Sequence, residues 1–491
     1  MPIGPGPHKG LKRILMTKIK YDICVIGAGS GGLSVAAAAS QFGEKVVLIE
    51  KGEMGGDCLN YGCVPSKALL AAGKHAHAFS SGVEFGVAAQ VPKVDFAKTM
   101  AHVHDVIAGI APHDSQERFE GLGVKVVRAA ARFVNAETVE AGGKQYKARR
   151  FVVATGSSPS APPIPGLDAV DYFTNETVFK NTELPEHLII IGGGPIGMEM
   201  AQAHRRLGAK VTVLEAFQPL GKDDPELTAI VLDHLRKEGI DIRAGVKITG
   251  ISKGSKVKSV EITLQGDGGK VEKLTGSHLL VAAGRTANVD GLNLEAANIE
   301  YDRSSIKVDK GLRTTNRKVY AIGDVAGGLQ FTHVAGYQAG LVMRSILFRL
   351  PVTNETRIIP WVTYTDPELA HIGMTEAQVR ESQTDHKILR WQFKENDRAR
   401  AERNTTGMIK TVVSSKGDIL GCSIVGPSAG DLIQPWAMAI SSKLKIKAMI
   451  DMVAAYPTLS EVSKRAATGY YADLPSKPMV RRVIGWLKVF G

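Results

Sequence analysis

Two cysteines, Cys58 and Cys63, stand five residues apart in the stretch GGDCLNYGCVPSK (residues 55–67), which holds half of the chain's four cysteines. On a regular helix such residues lie roughly 8 Å apart and face different directions, whereas a disulfide needs Cα atoms closer than about 7 Å. The pair can bond only if the backbone between them leaves helical geometry, and Gly62 gives it that freedom. Pro65 and the run 68–72 then suit the first turns of a new helix. Cys63 is thereby placed near a helix N-terminus, where the dipole favours a thiolate. The alternative is a pair of buried, inert thiols. Cys24, in a strand-like run, and Cys422, in ILGCSIVG, read as core residues.

A dithiol needs something to exchange electrons with, and the preceding residues supply it. The run from Tyr21 to Lys51 reads as strand, glycine turn, helix, strand. Gly27, Gly29 and Gly32 form G-x-G-x-x-G, whose turn brings backbone amides at a helix N-terminus close to a pyrophosphate. Glu50 ends the second strand, where it can accept hydrogen bonds from a ribose. The same pattern returns with Gly192, Gly194, Gly197 and Glu215, and in both copies 23 residues separate the first glycine from the acid. The chain therefore reads as binding two dinucleotides, the first beside the dithiol. Glu215 favours NAD over NADP, because a carboxylate repels a 2′-phosphate and no arginine follows before Arg236.

The elements that must position these residues fit a large α/β chain. Its 491 residues suffice for about three domains. Its 44% apolar and 22% charged content is that of a globular protein, with no run long enough to span a bilayer. Few cysteines point to a reducing compartment, here the cytoplasm. The excess of 61 basic over 49 acidic residues is scattered, which argues against a nucleic-acid partner. No metal-ligand cluster stands out.

Taken together, these features resemble the flavin-dependent pyridine nucleotide–disulfide oxidoreductases, the family of dihydrolipoamide dehydrogenase, glutathione reductase and mercuric reductase. The resemblance covers about residues 20 to 470. It implies that the first unit, with Lys51 and Gly56, holds FAD and that the second holds the nicotinamide. ATGSSP, with Thr155 and Gly156, resembles the family's crossing between domains, and AAGRTAN, with Gly284 and Arg285, the crossing back. VYAIGDVAGG, with Gly323 and Asp324, resembles its second FAD motif. The expected domains are a disordered extension (1–19), an FAD domain in two parts (20–158 and 285–349), an NAD domain (159–284) and an interface domain (350–491). The fold class is two doubly wound Rossmann-like domains plus a C-terminal α+β dimerisation domain, assembled as a homodimer.

By the family's pattern NADH reduces the flavin, the flavin reduces a Cys58–Cys63 disulfide, and the dithiol meets the substrate; the direction can reverse. Cys63 is then the thiol facing the flavin, Cys58 the interchange thiol, and Lys67 and Glu199 an ion pair beside the flavin. The family's C-terminal His-Pro-Thr departs here: Tyr456 stands in place of the proton-shuttling histidine, while Glu461 keeps the place of its glutamate partner. A phenol with a pKa near 10 is a poor base at neutral pH. Mercuric reductase also has a tyrosine there, but it delivers Hg(II) through C-terminal cysteines, and no cysteine follows Cys422. A dithiol or disulfide substrate and a soft metal ion both stay open.

A different class of reading is a redox-linked binding protein with little turnover. Its motive is the tail, where Met479, Val480, Val483, Leu487 and Phe490 alternate with Arg481, Arg482 and Lys488. Such a segment could lie on a membrane surface or partner; packing on its own dimer is the plainer expectation.

Overall fold

The computed structural model describes residues 20–255, 259–265 and 271–491; the expected N-terminal extension, residues 1–19, lies outside them. The chain forms two compact units. One comprises the described residues up to Met54, Asp114–Gly156 and Ala287–Thr353, and the other Gly55–His113, Ser157–Thr286 and Asn354–Gly491.

In the first unit, strand Tyr21–Ile26 lies between Val46–Glu50 and Lys144–Val153, parallel to both, with Ile23 opposite Val46 and Arg150. Lys125–Arg128 extends one edge, and Val319–Ala321 pairs with Lys144–Val153 on the other side. The stretches 23–26 and 46–49 are continuous buried apolar runs because both faces are covered there. Helices Ser30–Gln41 and Thr332–Phe348 pack together on one face. Beneath the other, Cys24, Val47, Phe133 and Phe151 join a second buried cluster, with antiparallel strands Ala131–Asn135 and Thr138–Ala141. Cys24 is fully buried, as a core residue should be.

The second unit repeats the arrangement on a smaller scale. Parallel strands run in the order Asp241–Arg243, Lys210–Leu214, His187–Ile191, His278–Val281. Helix Pro195–Arg206 follows the central strand, and a three-stranded antiparallel sheet lies between the parallel strands Asp241–Arg243 and His278–Val281 in sequence. Residues 361–426 build a five-stranded antiparallel sheet whose core includes Cys422 and the fully buried Trp436. Lys410, on strand Met408–Ser414, is buried with its Nζ 2.8 Å from Asp224, 2.8 Å from Glu226 and 2.6 Å from Glu376. Those contacts tie the sheet to helix Pro225–Lys237.

Helix Cys63–Ser81 also belongs to this unit and lies along helix Pro195–Arg206. The approach is close at Gly73, where a Cβ would sit 3.3 Å from the Ala203 carbonyl oxygen. Cys63 and the second glycine turn thus share one packed pair of helices.

Candidate active site

Each glycine turn is built by close backbone contact. Gly27 has φ +103° and Gly192 has φ +113°. A Cβ on Gly27 would lie 2.3 Å from the Ala154 oxygen, and one on Gly192 would lie 2.4 Å from the Ala282 oxygen. The third glycines are locked against the first: a Cβ on Gly32 or Gly197 would meet the carbonyl oxygen of Gly27 or Gly192 at 1.8 and 2.0 Å. The middle glycines differ. At Gly29 and Gly194 an added Cβ would meet nothing within 4 Å. These two positions are the N-caps of helices Ser30–Gln41 and Pro195–Arg206, and no side chain caps either helix. Two helix ends with open space before uncapped amides fit two pyrophosphates.

The acids close both turns in the same way. Glu50 Oε2 accepts from Ala28 N–H and Oε1 from Gly52 N–H, each at 2.6 Å. Glu215 Oε2 accepts from Gly193 N–H at 2.6 Å and Oε1 from Phe217 N–H at 2.8 Å. Beside Glu215 runs the backbone of Arg243, an arginine near in space rather than in sequence. Its guanidinium is held by Asp241 at 2.8 Å and Glu272 at 2.9 Å.

Other cofactor candidates sit on turns. In the first unit, Thr155 Oγ1 donates to the Asn288 carbonyl at 2.8 Å, and Asn288 answers through its amide to Thr155 and through its N–H to Gly156. Gly323 (φ +70°) donates its N–H to Gln338, and half-buried Asp324 follows in the same turn. Lys51 is exposed after its strand. In the second unit, the Gly284 carbonyl accepts from Ser160 N–H. Arg285 bonds the Ser157 hydroxyl and carbonyl at 2.7 and 2.8 Å and lies 3.3 Å from Asp57.

Cys58 lies on the short helix Gly56–Asn60, and Cys63 opens helix Cys63–Ser81. Between them Gly62 adopts φ −120°, ψ −111°, so the backbone leaves helical geometry where the glycine predicts. Asn175 holds the turn from outside, donating to Asp57 at 2.9 Å and to the Tyr61 carbonyl at 3.3 Å. One turn past Cys63, Lys67 Nζ donates to Glu199 Oε2 at 2.7 Å. The Glu199 side chain is 5% exposed, and its other oxygen accepts from Tyr364 N–H at 3.0 Å. The Lys67 ammonium also sits 4.4 Å from the centre of the Tyr364 ring, a cation–π contact. Burial, with negative charge on Glu199, Glu368 and Cys63, pushes the Tyr364 phenol above its ordinary pKa. A cleft of about 200 Å³ opens against Lys67 and Tyr364, lined also by Lys74, Arg206, Asp366 and Glu368.

Tyr456 is 71% exposed, and its hydroxyl donates to Asp397 Oδ2 at 3.1 Å. That bond, with the carboxylate's charge, raises the phenol pKa further. Glu461, which keeps the place of the family's glutamate, adds its charge to the rise. The hydroxyl's bond is to Asp397, while the Glu461 carboxylate faces Arg465 at 4.0 Å.

Sequence reasoning missed Tyr364, Asp397, Asn175 and Asp57. The first lay in plain view in WVTYTDPE, but nothing local announces that a residue 297 positions after Lys67 will cover it.

The profile described as pyridine nucleotide-disulphide oxidoreductase matches residues 21–339, and the dimerisation domain of the same family matches 359–467. The chain belongs to that family. Among its relatives, mercuric reductase of Lysinibacillus sphaericus is 34% identical over 94% of this chain and 84% of its own length. Dihydrolipoyl dehydrogenase of Geobacillus stearothermophilus is 33% identical over 91% and 96%. The solved structure of the HOCl-induced flavoprotein disulfide reductase RclA from Escherichia coli covers 91% of this chain and 99% of its own, with a TM-score of 0.82 and 27% identity. This pyridine nucleotide–disulphide oxidoreductase is accordingly an FAD-dependent enzyme of the dihydrolipoyl dehydrogenase and mercuric reductase kind, a family that uses FAD and NAD(P)H. Among the described residues, no helix is long and apolar enough to cross a membrane.

Proposed function

We propose that this oxidoreductase moves electron pairs between NAD(H) and a small acceptor or donor through Cys58 and Cys63. The observation that carries this reading is Cys63 at the amide end of a 19-residue helix, with Lys67 held one turn later by buried Glu199. Oriented amides and a fixed ammonium both favour negative charge on sulfur. Cys58 sits on its own short helix across the Gly62 break, which lets it act as the exchanging thiol.

FAD would be held by the 27–32 turn, Glu50, Lys51, Gly56, Thr155, Gly156, Gly323 and Asp324, and NAD by the 192–197 turn, Glu215, Gly284 and Arg285. When bound, the flavin supplies a two-electron carrier between nicotinamide and thiols. The second site prefers NAD: a 2′-phosphate would meet the Glu215 carboxylate, while Arg243, the cation whose backbone runs alongside, is already engaged by two acids. The domain limits 20–158 with 285–349, 159–284 and 350–491, a homodimer and a cytoplasmic setting complete the reading, the homodimer being supported by the family's dimerisation domain.

The substrate is a dithiol or disulfide, or a soft metal ion. Tyr456 bears on this choice. Its phenol, bonded to Asp397, holds its proton more tightly than a free tyrosine does. Thiol–disulfide exchange at that place then lacks a base, whereas a thiolate pair suits a soft metal ion.

The test is NADH oxidation against lipoamide, glutathione disulfide and Hg(II), with the two half-reactions separated by stopped flow. NADH should raise a long-wavelength thiolate band that Cys63→Ser abolishes; a band surviving that change overturns the assignment. Lipoamide turnover should be low, and Tyr456→His should raise it by about 10²-fold or more. Full lipoamide turnover by the unaltered enzyme would refute the argument from the missing base.

A further inference from the structure

The chain continues beyond the family's dimerisation match, which ends at residue 467, and its last segment is unlike the rest of the molecule. The root of the tail is fastened: Tyr470 donates its hydroxyl to the Ser415 carbonyl at 2.8 Å, and Lys387 bonds Asp473 at 3.1 Å. From Leu474 onward, among the described residues, the hydrogen bonds run within the tail itself, as from Arg481 Nε to the Pro475 carbonyl. Helix Pro478–Leu487 packs chiefly on the turns that flank it.

Its side chains sort by chemistry around the axis. At 3.6 residues per turn, Met479, Val480, Val483, Ile484, Trp486 and Leu487 fall within an arc of about 160°. Trp486 stacks edge-on against Phe490 at 4.9 Å, which adds a second ring to that face. Arg481 and Arg482 occupy the opposite arc. The apolar face is uncovered, with Met479 77%, Trp486 63% and Phe490 70% exposed. From 474 to 491 the sequence holds Lys477, Arg481, Arg482 and Lys488 and no acid.

We propose that this helix lies on an anionic phospholipid bilayer surface, its apolar face in the acyl boundary and its arginines among the headgroups. A large apolar face opposite cations, with aromatic rings at the end, is the chemistry of an interfacial helix. Charge selects the occupant. A second copy of this chain carries a net charge of +12, so it offers poor complementarity to a cationic helix; an anionic surface offers good complementarity. The helix has ten residues, too few to span a bilayer of about 30 Å, so it rests on one leaflet while the enzyme stays in the water phase.

The experiment is co-sedimentation of the full-length FAD-loaded protein with vesicles of phosphatidylcholine alone or mixed with phosphatidylglycerol. A chain ending at Ser476 and the double variant Arg481→Gln, Arg482→Gln run alongside, each checked for unchanged flavin content and NADH oxidation. Full-length protein should sediment with the anionic vesicles and not with the neutral ones, and added salt should release it. The double variant should bind roughly 25-fold more weakly, at about fivefold per lost charge, and the shortened chain should not bind. Trp486 emission should shift to the blue on binding, a change that Trp486→Ala removes. Equal sedimentation of the full and shortened chains overturns the proposal. A fall in oligomeric state on shortening overturns it too, because the helix would then pack on a second copy of the chain.

Discussion

The two glycine turns are the same device built twice, and they part company at one position. Both lock the first and third glycines together, leave the middle one facing open space, and close the loop with a glutamate on two backbone amides. Five residues after the middle glycine the first copy has Ser34, whose hydroxyl merely bonds back to Ser30, one turn earlier. The second copy has Glu199, buried and bonded to Lys67. Binding a dinucleotide constrains the turn and leaves the helix face free. The second helix uses that freedom to hold a charge beside the dithiol, which the first helix does not do.

The largest effect should come from the locked glycines. Gly27→Val and Gly192→Val force a Cβ onto a carbonyl oxygen at a positive φ, at a cost on the order of 3–5 kcal/mol each. Thermal unfolding should record a similar loss for both. Tolerance of one and not the other would break the equivalence of the copies.

The middle glycines should separate the copies by ligand. Gly29→Val and Gly194→Val add a side chain to open space at an extended backbone, so both variants should fold. The first should be purified with FAD depleted about tenfold or more, whereas the second should keep its flavin and raise the KM for NADH by a similar factor. FAD loss from the Gly194 variant would reverse the order of the two sites.

Their point of divergence can be tested directly. Glu199→Gln keeps the shape but removes the charge that holds Lys67, and the thiol half-reaction should slow by about a hundredfold. Ser34→Ala should leave both half-reactions unchanged. Equal effects would mean that the helix faces are not specialised.

The smallest effect concerns acid. Arg206, at the end of the second helix, pairs with Glu238 at 2.6 Å, both side chains being buried. Burial alone would raise the Glu238 pKa, but hydrogen bonds from His234 and Arg206 outweigh it and hold the group at about 2. A depressed carboxylate pKa contributes stability that is complete above about pH 5 and is lost as pH falls toward 2. Among the described residues no ion pair holds the side chains of helix Ser30–Gln41. Hydrogen exchange should therefore loosen 195–206 before 30–41 on acidification; simultaneous loosening would argue against this distinction.

How much could be read from sequence depends on the range of the interaction. The glycine spacing, the closing acids and the helix start at Cys63 are local, and their steric demands leave marks within a few residues. Contacts such as Tyr364 on Lys67, Asn175 on Asp57 and Asp397 on Tyr456 join positions 59 to 297 residues apart, with no periodicity to betray them. Arg243 shows the limit most clearly. Reading forward from Glu215 finds Arg236 as the next arginine, while parallel strand pairing brings the backbone of Arg243 alongside instead.

Buried Lys410 has a bearing on recombination. A chimera that exchanged everything after residue 353 for the matching segment of a relative would part this ammonium from Asp224 and Glu226. Two carboxylates would be left facing whatever the donor supplied at that strand position. Gene-shuffling across this junction should therefore yield stable hybrids only when the incoming strand brings its own cation, or when helix Pro225–Lys237 travels with it. The unit of inheritance is the ion cluster, and it straddles the seam that a designer would choose from sequence.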